Sequence, residues 1–172
     1  MNPAVPEIPG DSPLKAAQAP AEQAAVTPAV APWPNPLAHL QIPFRAVDYE
    51  VKGYHLEVTV APGEVVAVAT QLDKEGLALD TITGVDWMAE GQMEVVYDYF
   101  HLAKPLRVVV RTRIPRDKPE IDTISGVFPG ANWHERETHD FFGIKFLGHP
   151  DLTPFLLPED ATYHPLRKDF VA

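Results

Sequence analysis

The densest group of residues able to do chemistry is the run His-Glu-Arg-Glu-Thr-His-Asp-Phe-Phe at positions 134–142. A His-Glu pair followed by a second histidine is typical of zinc hydrolases, in which two histidines on one helix bind the same metal ion. That site requires histidines four residues apart, whereas His134 and His139 are five apart. On a regular helix this spacing separates the two side chains by about 140°. A metal-dependent hydrolase is therefore only a remote alternative.

The same run has the spacing of a helix with a mixed face. Trp133, Glu137 and Phe141 lie four residues apart and so share one side of a helix. A carboxylate beside two aromatic rings needs a cation or backbone donors, which predicts a buried, partnered Glu137; the alternative is an exposed, solvated carboxylate. The four-residue spacing also predicts two polar pairs, Arg136 with Asp140 and Glu135 with His139.

Two further polar motifs follow this helix, Gly-His-Pro-Asp-Leu at 148–152 and His-Pro-Leu-Arg-Lys-Asp-Phe at 164–170. His149 and His164 have the chemistry of ligands or bases, but a lone loop histidine before proline is more often a hydrogen-bonded structural group. Between these motifs the chain is rich in proline and large apolar residues and has little periodicity. We therefore predict that residues 144–172 form an extended segment that binds a partner protein, and that the preceding domain folds without it.

The elements that position these motifs indicate an α+β fold. Period-two alternation predicts strands at 55–60, 79–87, 92–100 and 106–114, with Gly84 as a possible bulge. The apolar stripe after Pro62 predicts a helix that stops at Gly76, and residues 122–127 are expected to form a short helix. Asn132 is expected to cap the helix over 133–142, and Gly143 to end it in the left-handed conformation. One or two helices packed on a mostly antiparallel sheet are the economical architecture for residues 37–143.

Composition excludes several functional classes. The chain contains no cysteine, so disulfides, a catalytic thiol and thiolate ligands for zinc or iron–sulfur clusters are excluded. A net charge of −10 argues against nucleic-acid binding. No apolar run is long enough for a membrane-spanning helix, so direct membrane insertion is not expected. Residues 1–36, rich in proline and alanine, are predicted to be a disordered tail in which Trp33 is the one large anchor.

Basic residues cluster on the last predicted strand and just after it, at positions 107, 111, 113, 116 and 118. This cluster indicates either a docking surface for an acidic partner or a solvated strand face. Arg167 and Lys168, near the C-terminus, are expected to meet acidic or backbone acceptors on a partner.

Four motifs together carry a resemblance to a known family. They are Glu-Arg-Glu-Thr-His-Asp-Phe-Phe-Gly-Ile at 135–144, the motif at 148–152, Leu-Pro-Glu-Asp at 157–160 and the motif at 164–170. The sequence from about 50 to 170 resembles the 30 kDa subunit family of respiratory complex I, the NADH-quinone oxidoreductase of bacteria. Thr153 and Phe155 depart from the family's usual residues, so the sequence does not decide which type of complex within the family the chain belongs to. Related subunits of membrane-bound hydrogenases, deazaflavin-linked dehydrogenases and photosynthetic NDH-type complexes remain alternatives.

The resemblance implies a non-redox structural subunit in the hydrophilic arm of a proton-translocating NADH:quinone oxidoreductase. That complex passes electrons from NADH through FMN and iron–sulfur clusters, held by partner subunits, to quinone. The expected partners are the large quinone-site subunit and the terminal iron–sulfur subunit, which would hold this chain on the cytoplasmic side of the bacterial cell membrane. No catalytic, cofactor-binding or metal-binding residue is expected in this chain. The residues expected at partner interfaces are Glu135, Arg136, Glu137, Asp140, Phe141, Gly143, His149, Pro150, Leu152, Pro165, Leu166, Arg167 and Lys168.

Overall fold

The computed structural model describes residues 35–171. The predicted tail of residues 1–36, with Trp33, therefore lies outside the described residues except for its last two positions. The elements are β1 (Arg45–Ala46), α1 (Tyr49–Lys52), β2 (Leu56–Thr59), α2 (Val65–Lys74), β3 (Leu77–Trp87), β4 (Gln92–His101), β5 (Arg107–Pro115), β6 (Glu120–Asp122), α3 (Ala131–Phe142) and β7 (Lys145–Leu147). Short 3-10 turns span Ala38–Leu40, Pro62–Glu64 and Met88–Glu90.

The main sheet has five strands in the order β1-β2-β5-β4-β3. Strands β3, β4 and β5 form an antiparallel meander, and β2 pairs with β5 in parallel. The loop between β4 and β5 is a hairpin, closed where the His101 amide donates to the Leu106 carbonyl. This confirms the predicted α+β fold with a mostly antiparallel sheet. The sheet has one strand, β1, more than the four that the alternation indicated.

The predicted short helix at 122–127 is wrong. Residues 120–122 instead form β6, which pairs in parallel with β7 in a separate two-stranded sheet. Ile121 and Phe146 face each other across this pair and are both buried. The pairing joins segments about 25 positions apart, so local sequence pattern gave no sign of it.

Helix α2 forms as its sequence predicts. The turn Pro62–Glu64 leads into it, and the Glu64 carboxylate accepts the Ala61 amide at 2.9 Å. Gly76 follows the helix with φ of 81°, a left-handed conformation that glycine adopts without steric cost. The apolar stripe of the helix joins the sheet in the core through Val65, Val68, Ala69 and Leu72.

Gly84 is not a bulge, because the register of β3 shifts between Leu79 and Thr81 instead. Its missing side chain serves packing: a Cβ on Gly84 would lie 2.6 Å from Cδ2 of the Phe142 ring. Helix α3 therefore sits unusually close to β3, and the Thr138 hydroxyl lies 3.4 Å from the Ile82 carbonyl oxygen to which it donates. This close approach fixes which side of α3 faces the core.

The basic cluster predicted as a possible docking surface is engaged by carboxylates of its own chain. Every member of the cluster lies within ion-pair distance of an aspartate or glutamate. The pairs are Arg107 with Asp80 and Asp98, Arg111 with Glu94, Arg113 with Glu90 and Glu94, Arg116 with Asp86 and Asp169, and Lys118 with Glu120. The strand thus presents paired charges rather than an uncompensated basic surface.

Candidate partner-binding site around helix α3

Helix α3 begins at Ala131, two residues earlier than its sequence suggests. Gly130 occupies the N-cap position, so the prediction that Asn132 caps the helix is wrong. The C-terminus is as predicted: Gly143 has φ of 72° and its amide donates to the His139 carbonyl at 2.8 Å. The His139 ring donates from Nδ1 to the Ile144 carbonyl at 2.9 Å, so its predicted pair with Glu135 does not form.

The buried carboxylates of α3 are Glu135 and Asp140, and Glu137 is exposed. The prediction of a buried Glu137 is therefore wrong, and Trp133 on the same face is 58% exposed. The residues that face inward are instead Ala131, Glu135 and Thr138. Thr138 lies against β3, where its hydroxyl donates to the Ile82 carbonyl, and Gly84 of the same strand leaves room for the Phe142 ring.

Glu135 is held by the turn that follows β6. Its Oε1 accepts the Ile124 amide at 2.8 Å, and its Oε2 accepts the Thr123 hydroxyl. Nε2 of His149 lies 3.8 Å from Oε2, and both side chains are fully buried. Burial raises the pKa of Glu135 to about 7, although the hydrogen bonds from Thr123 and Ile124 act in the opposite direction.

Asp140 binds the backbone of the C-terminal segment. Its Oδ2 accepts the amides of residues 155, 156 and 157, at 3.1, 2.9 and 3.3 Å. The predicted pair with Arg136 is wrong, since Arg136 donates instead to the Thr153 carbonyl at 2.9 Å. The Arg136 guanidinium also lies 4.9 Å from the Phe155 ring and 5.3 Å from the Trp133 ring, within the range of cation–π attraction.

The last three carbonyl groups of α3 are also bound by the C-terminal segment. Nδ1 of His164 donates to the Asp140 carbonyl at 2.9 Å, and the amide of residue 166 donates to the Phe141 carbonyl at 3.1 Å. Nε of Arg167 donates to the Phe142 carbonyl at 2.7 Å. A helix leaves these acceptors without intrahelical partners, so the motif at 164–167 acts as a distant cap. The backbone acceptor predicted for Arg167 on a partner protein is thus in its own chain.

A third anchor lies at the end of β3. The Asp86 carboxylate accepts two hydrogen bonds from Arg116, at 2.8 and 2.9 Å, and one from the Lys168 amide at 2.8 Å. Arg116 also donates to Asp169 at 2.7 Å. The hydrogen bonds from Arg116 lower the pKa of Asp86, although burial opposes the shift. This anchor draws on the backbone of Lys168 and not on its ammonium group.

The boundary between the domain and the C-terminal segment lies later than Gly143. Ile144 and Phe146 are in the core, and β7 extends to Leu147. We therefore define the C-terminal segment as residues 148–171. Its polar groups bind its own domain, while several of its large apolar side chains remain at least a third exposed. These are Phe155, Leu156, Tyr163, Leu166, Phe170 and Val171.

The structure brings most of the predicted interface residues to this site. Contacts between the segment and the end of α3 involve Glu135, Arg136, Asp140, Gly143, His149 and Arg167. The backbone of Lys168 binds Asp86 at the end of β3. Leu152 packs partly buried against the core, while Leu166 is exposed. Pro150 and Glu137 are exposed, and Phe141 and Pro165 are half-buried. Sequence reasoning missed Asp86 and Thr123, and it gave Arg116 only a place in the basic cluster, because their partners lie far along the chain.

Among residues 35–171 no three His, Cys, Asp or Glu side chains are grouped to hold a metal ion. Over the same residues, every helix falls short of the length and apolar character needed to cross a membrane.

Comparison with known proteins matches both the domain and the segment. The profile of the family described as respiratory-chain NADH dehydrogenase, 30 Kd subunit, matches residues 58–172. The chain is 42% identical over 119 residues to a subunit of the NADH-quinone oxidoreductase of Roseiflexus sp. (strain RS-1), covering 66% of this chain and 68% of that protein. It is 41% identical over 93 residues to a subunit of the F(420)H(2) dehydrogenase of Methanosarcina mazei, covering 54% and 59%. A chain of the membrane-bound sulfane sulfur reductase, an archaeal respiratory membrane complex, superposes with a TM-score of 0.68 at 28% identity, covering 78% of this chain and 81% of that one.

Proposed function

Because the chain belongs to the family of the 30 Kd subunit of respiratory-chain NADH dehydrogenase, we propose that it is a non-redox structural subunit of a proton-translocating NADH:quinone oxidoreductase. The observation that carries this proposal is the family match, which spans the domain and the C-terminal segment together. Partner subunits would hold the FMN and iron–sulfur clusters that pass electrons from NADH to quinone. The absence of cysteine agrees with this division, because thiolates are the usual cluster ligands.

The geometry supports a role in binding neighbouring subunits. Three sets of polar contacts, at Asp140, at the end of α3 and at Asp86, fix the backbone of the C-terminal segment on its own domain. A segment ordered in advance loses less conformational entropy when it binds, so its exposed apolar side chains contribute more of their burial energy to assembly. Full burial of such a side chain contributes roughly 1.5–3 kcal/mol.

The partners we propose for this surface are the large quinone-site subunit and the terminal iron–sulfur subunit of the hydrophilic arm. The exposed aromatic rings of Trp133 and Phe155 contact each other edge to face, and the Arg136 guanidinium lies beside both. This is the composition found at the centres of protein interfaces. Through these partners the chain would lie peripherally on the cytoplasmic side of the bacterial cell membrane. It would supply no catalytic residue of its own.

A second candidate is the equivalent subunit of a related complex with a different electron donor. The likeness to a subunit of F(420)H(2) dehydrogenase, nearly as close in identity as that to the bacterial NADH-quinone oxidoreductase, favours keeping this candidate. The fold and the segment would serve both complexes equally, so the distinction depends on the subunit that admits electrons. An NADH-oxidising flavin subunit in the same complex would identify the first candidate.

Purification of the native complex through a tag on this chain tests the proposal. Mass spectrometry of the purified material should identify a quinone-site subunit, cluster-binding subunits and an NADH-oxidising flavoprotein in equal amounts. An untagged strain is the control for nonspecific retention. Recovery of the tagged chain alone, with none of these redox subunits, would contradict the proposal. A deazaflavin-oxidising subunit in place of the flavoprotein would favour the second candidate.

A further inference from the structure

A groove lies between the hairpin that joins β3 to β4 and the end of the C-terminal segment. We call it the hairpin groove; its lining residues are Asp86, Trp87, Met88, Ala89 and Lys168. Its volume is about 390 Å³, within the range of small ligand-binding clefts, roughly 300–1,000 Å³. The groove shares no lining residue with the cluster of Trp133, Arg136 and Phe155 described above. It is therefore a second candidate surface for binding.

Polar contacts hold the walls of the hairpin groove in place. The indole Nε1 of Trp87 donates to the Glu94 carboxylate at 3.1 Å, and the Arg113 guanidinium lies 4.3 Å from the centre of the ring. The ring nevertheless remains 38% exposed, and the Met88 side chain beside it is 49% exposed. The bond from the Lys168 amide to Asp86 fixes the opposite wall. A groove ordered in this way loses little conformational entropy when it is filled.

The charge that the hairpin groove presents to a ligand is positive. Asp86 lines the groove, but its two oxygens accept hydrogen bonds from Arg116 and from the Lys168 amide. The neighbouring carboxylate of Asp169 is also engaged by Arg116. Among residues 35–171, the Lys168 ammonium group forms no ion pair or hydrogen bond with a carboxylate, unlike the basic cluster of β5. An acidic group on another molecule would therefore complement it.

We propose that the hairpin groove binds a segment of a neighbouring subunit that places a large apolar side chain against Trp87 and Met88 and a carboxylate beside the Lys168 ammonium group. The apolar side chain would remove the exposed parts of Trp87 and Met88 from water. The carboxylate would distinguish this segment from apolar segments that lack one. This inference rests on the proposed function, which supplies the neighbouring subunits.

The size of the apolar wall favours a protein side chain over a lipid tail. The three apolar residues of the wall, 87–89, are consecutive and span at most about 11 Å. An acyl chain extends through half of the hydrocarbon core of a bilayer, about 15 Å. A single side chain next to a carboxylate therefore fits the groove better than a phospholipid does.

Photocrosslinking in the native complex identifies what fills the hairpin groove. The tagged full chain carries benzoylphenylalanine in place of Met88, and the purified complex is irradiated and analysed by mass spectrometry. We expect a crosslink to a peptide of another subunit in which a large apolar residue adjoins an aspartate or glutamate. The same group in place of Leu102, which is 72% exposed in the hairpin between β4 and β5, is the control and should not label that peptide. A crosslink only to phospholipid, to a peptide without a carboxylate, or to no other subunit would overturn the proposal.

Charge reversal tests the role of Lys168. Lys168→Glu keeps the backbone bond to Asp86 and replaces the ammonium group by a carboxylate, so the yield of the crosslink from position 88 should fall by about tenfold or more. Lys168→Gln, which adds no repulsion, should reduce the yield less. Changing the crosslinked partner's carboxylate to lysine should restore the yield with Lys168→Glu. Lys104→Glu, at another exposed lysine, is the control and should leave the yield unchanged. Equal yields from Lys168→Glu and Lys104→Glu would overturn the proposal.

Purification of the wild-type complex separates failure of this inference from failure of the proposed function. If redox subunits accompany the wild-type chain but none is crosslinked from position 88, the occupant of the groove is wrong and the proposed function stands. If no redox subunit accompanies the wild-type chain, both are overturned, because the groove takes its occupant from those subunits.

Discussion

Replacing Asp140 by alanine should release residues 155–157 from α3 while leaving the sheet and helices folded. One carboxylate oxygen accepts three backbone amides there, two of them at 3.1 Å or less. A hydrogen bond to a charged group contributes roughly 1.5–3 kcal/mol. We count the two shorter bonds and allow for water that binds the released amides at this partly exposed site. The free energy of local opening then falls by about 3 kcal/mol. That corresponds to roughly a hundredfold change in the local opening equilibrium.

Hydrogen exchange of the Leu156 amide, whose bond to Asp140 is the shortest of the three, reports this opening directly. Protection there should fall about a hundredfold, while amides in the middle of β4 and β5 keep theirs. Glu137→Ala is the matched control, since it removes an exposed carboxylate from the same helix and should change neither. Unchanged protection of Leu156, or loss of protection throughout the sheet, would refute the assignment of Asp140 as an anchor of the segment.

Two further substitutions test the contacts that set the position of α3 and of the segment. Gly84→Ala should lower the free energy of unfolding by about 1–3 kcal/mol, because the new Cβ would meet the Phe142 ring at 2.6 Å; denaturant unfolding measures this, and Gly126→Ala, with no neighbour within 4 Å, should cost less. Asp86→Asn should lower the free energy of unfolding at pH 7, and it should reduce the loss of that free energy as the solution becomes acidic. The lowered pKa of Asp86 means that its ionised form stabilises the fold above the ordinary value of 3.8, and that this contribution is lost as pH falls further. An unfolding free energy of Asp86→Asn equal to that of wild type at pH 7 would contradict the anchor.

The sequence predicted the elements that depend on local pattern. Alternation placed β2, β3, β4 and β5 within two residues of their observed ends, because one face of each strand must meet the core. Gly76 and Gly143 indicated the ends of helices, because both adopt the left-handed conformation that their positions require. These features need no knowledge of what lies opposite.

The sequence could not show which carboxylate of α3 is buried. Four-residue spacing put Glu137 beside Trp133 and Phe141, but the helix turns the other way because Gly84 admits Phe142 against β3. The position of the C-terminal segment on the domain could not be predicted from the sequence either, because its contacts join residues such as Asp86 and Lys168, which are 82 residues apart. Apolar content correctly marked the segment as unusual, but polar contacts decide where it lies.

Assembly of the complex with a truncated chain tests most directly the claim that the C-terminal segment binds the partner subunits. The chain should be cut after Leu147, because cutting after Gly143 would remove Phe146 from the core and destabilise the domain itself. We predict that the chain ending at Leu147 keeps the circular dichroism of a folded α+β domain but does not enter the complex on native gels. Deletion of residues 1–32 is the control, and it should assemble as wild type. A folded chain ending at Leu147 that still assembles and supports quinone reduction at the normal rate would contradict the account.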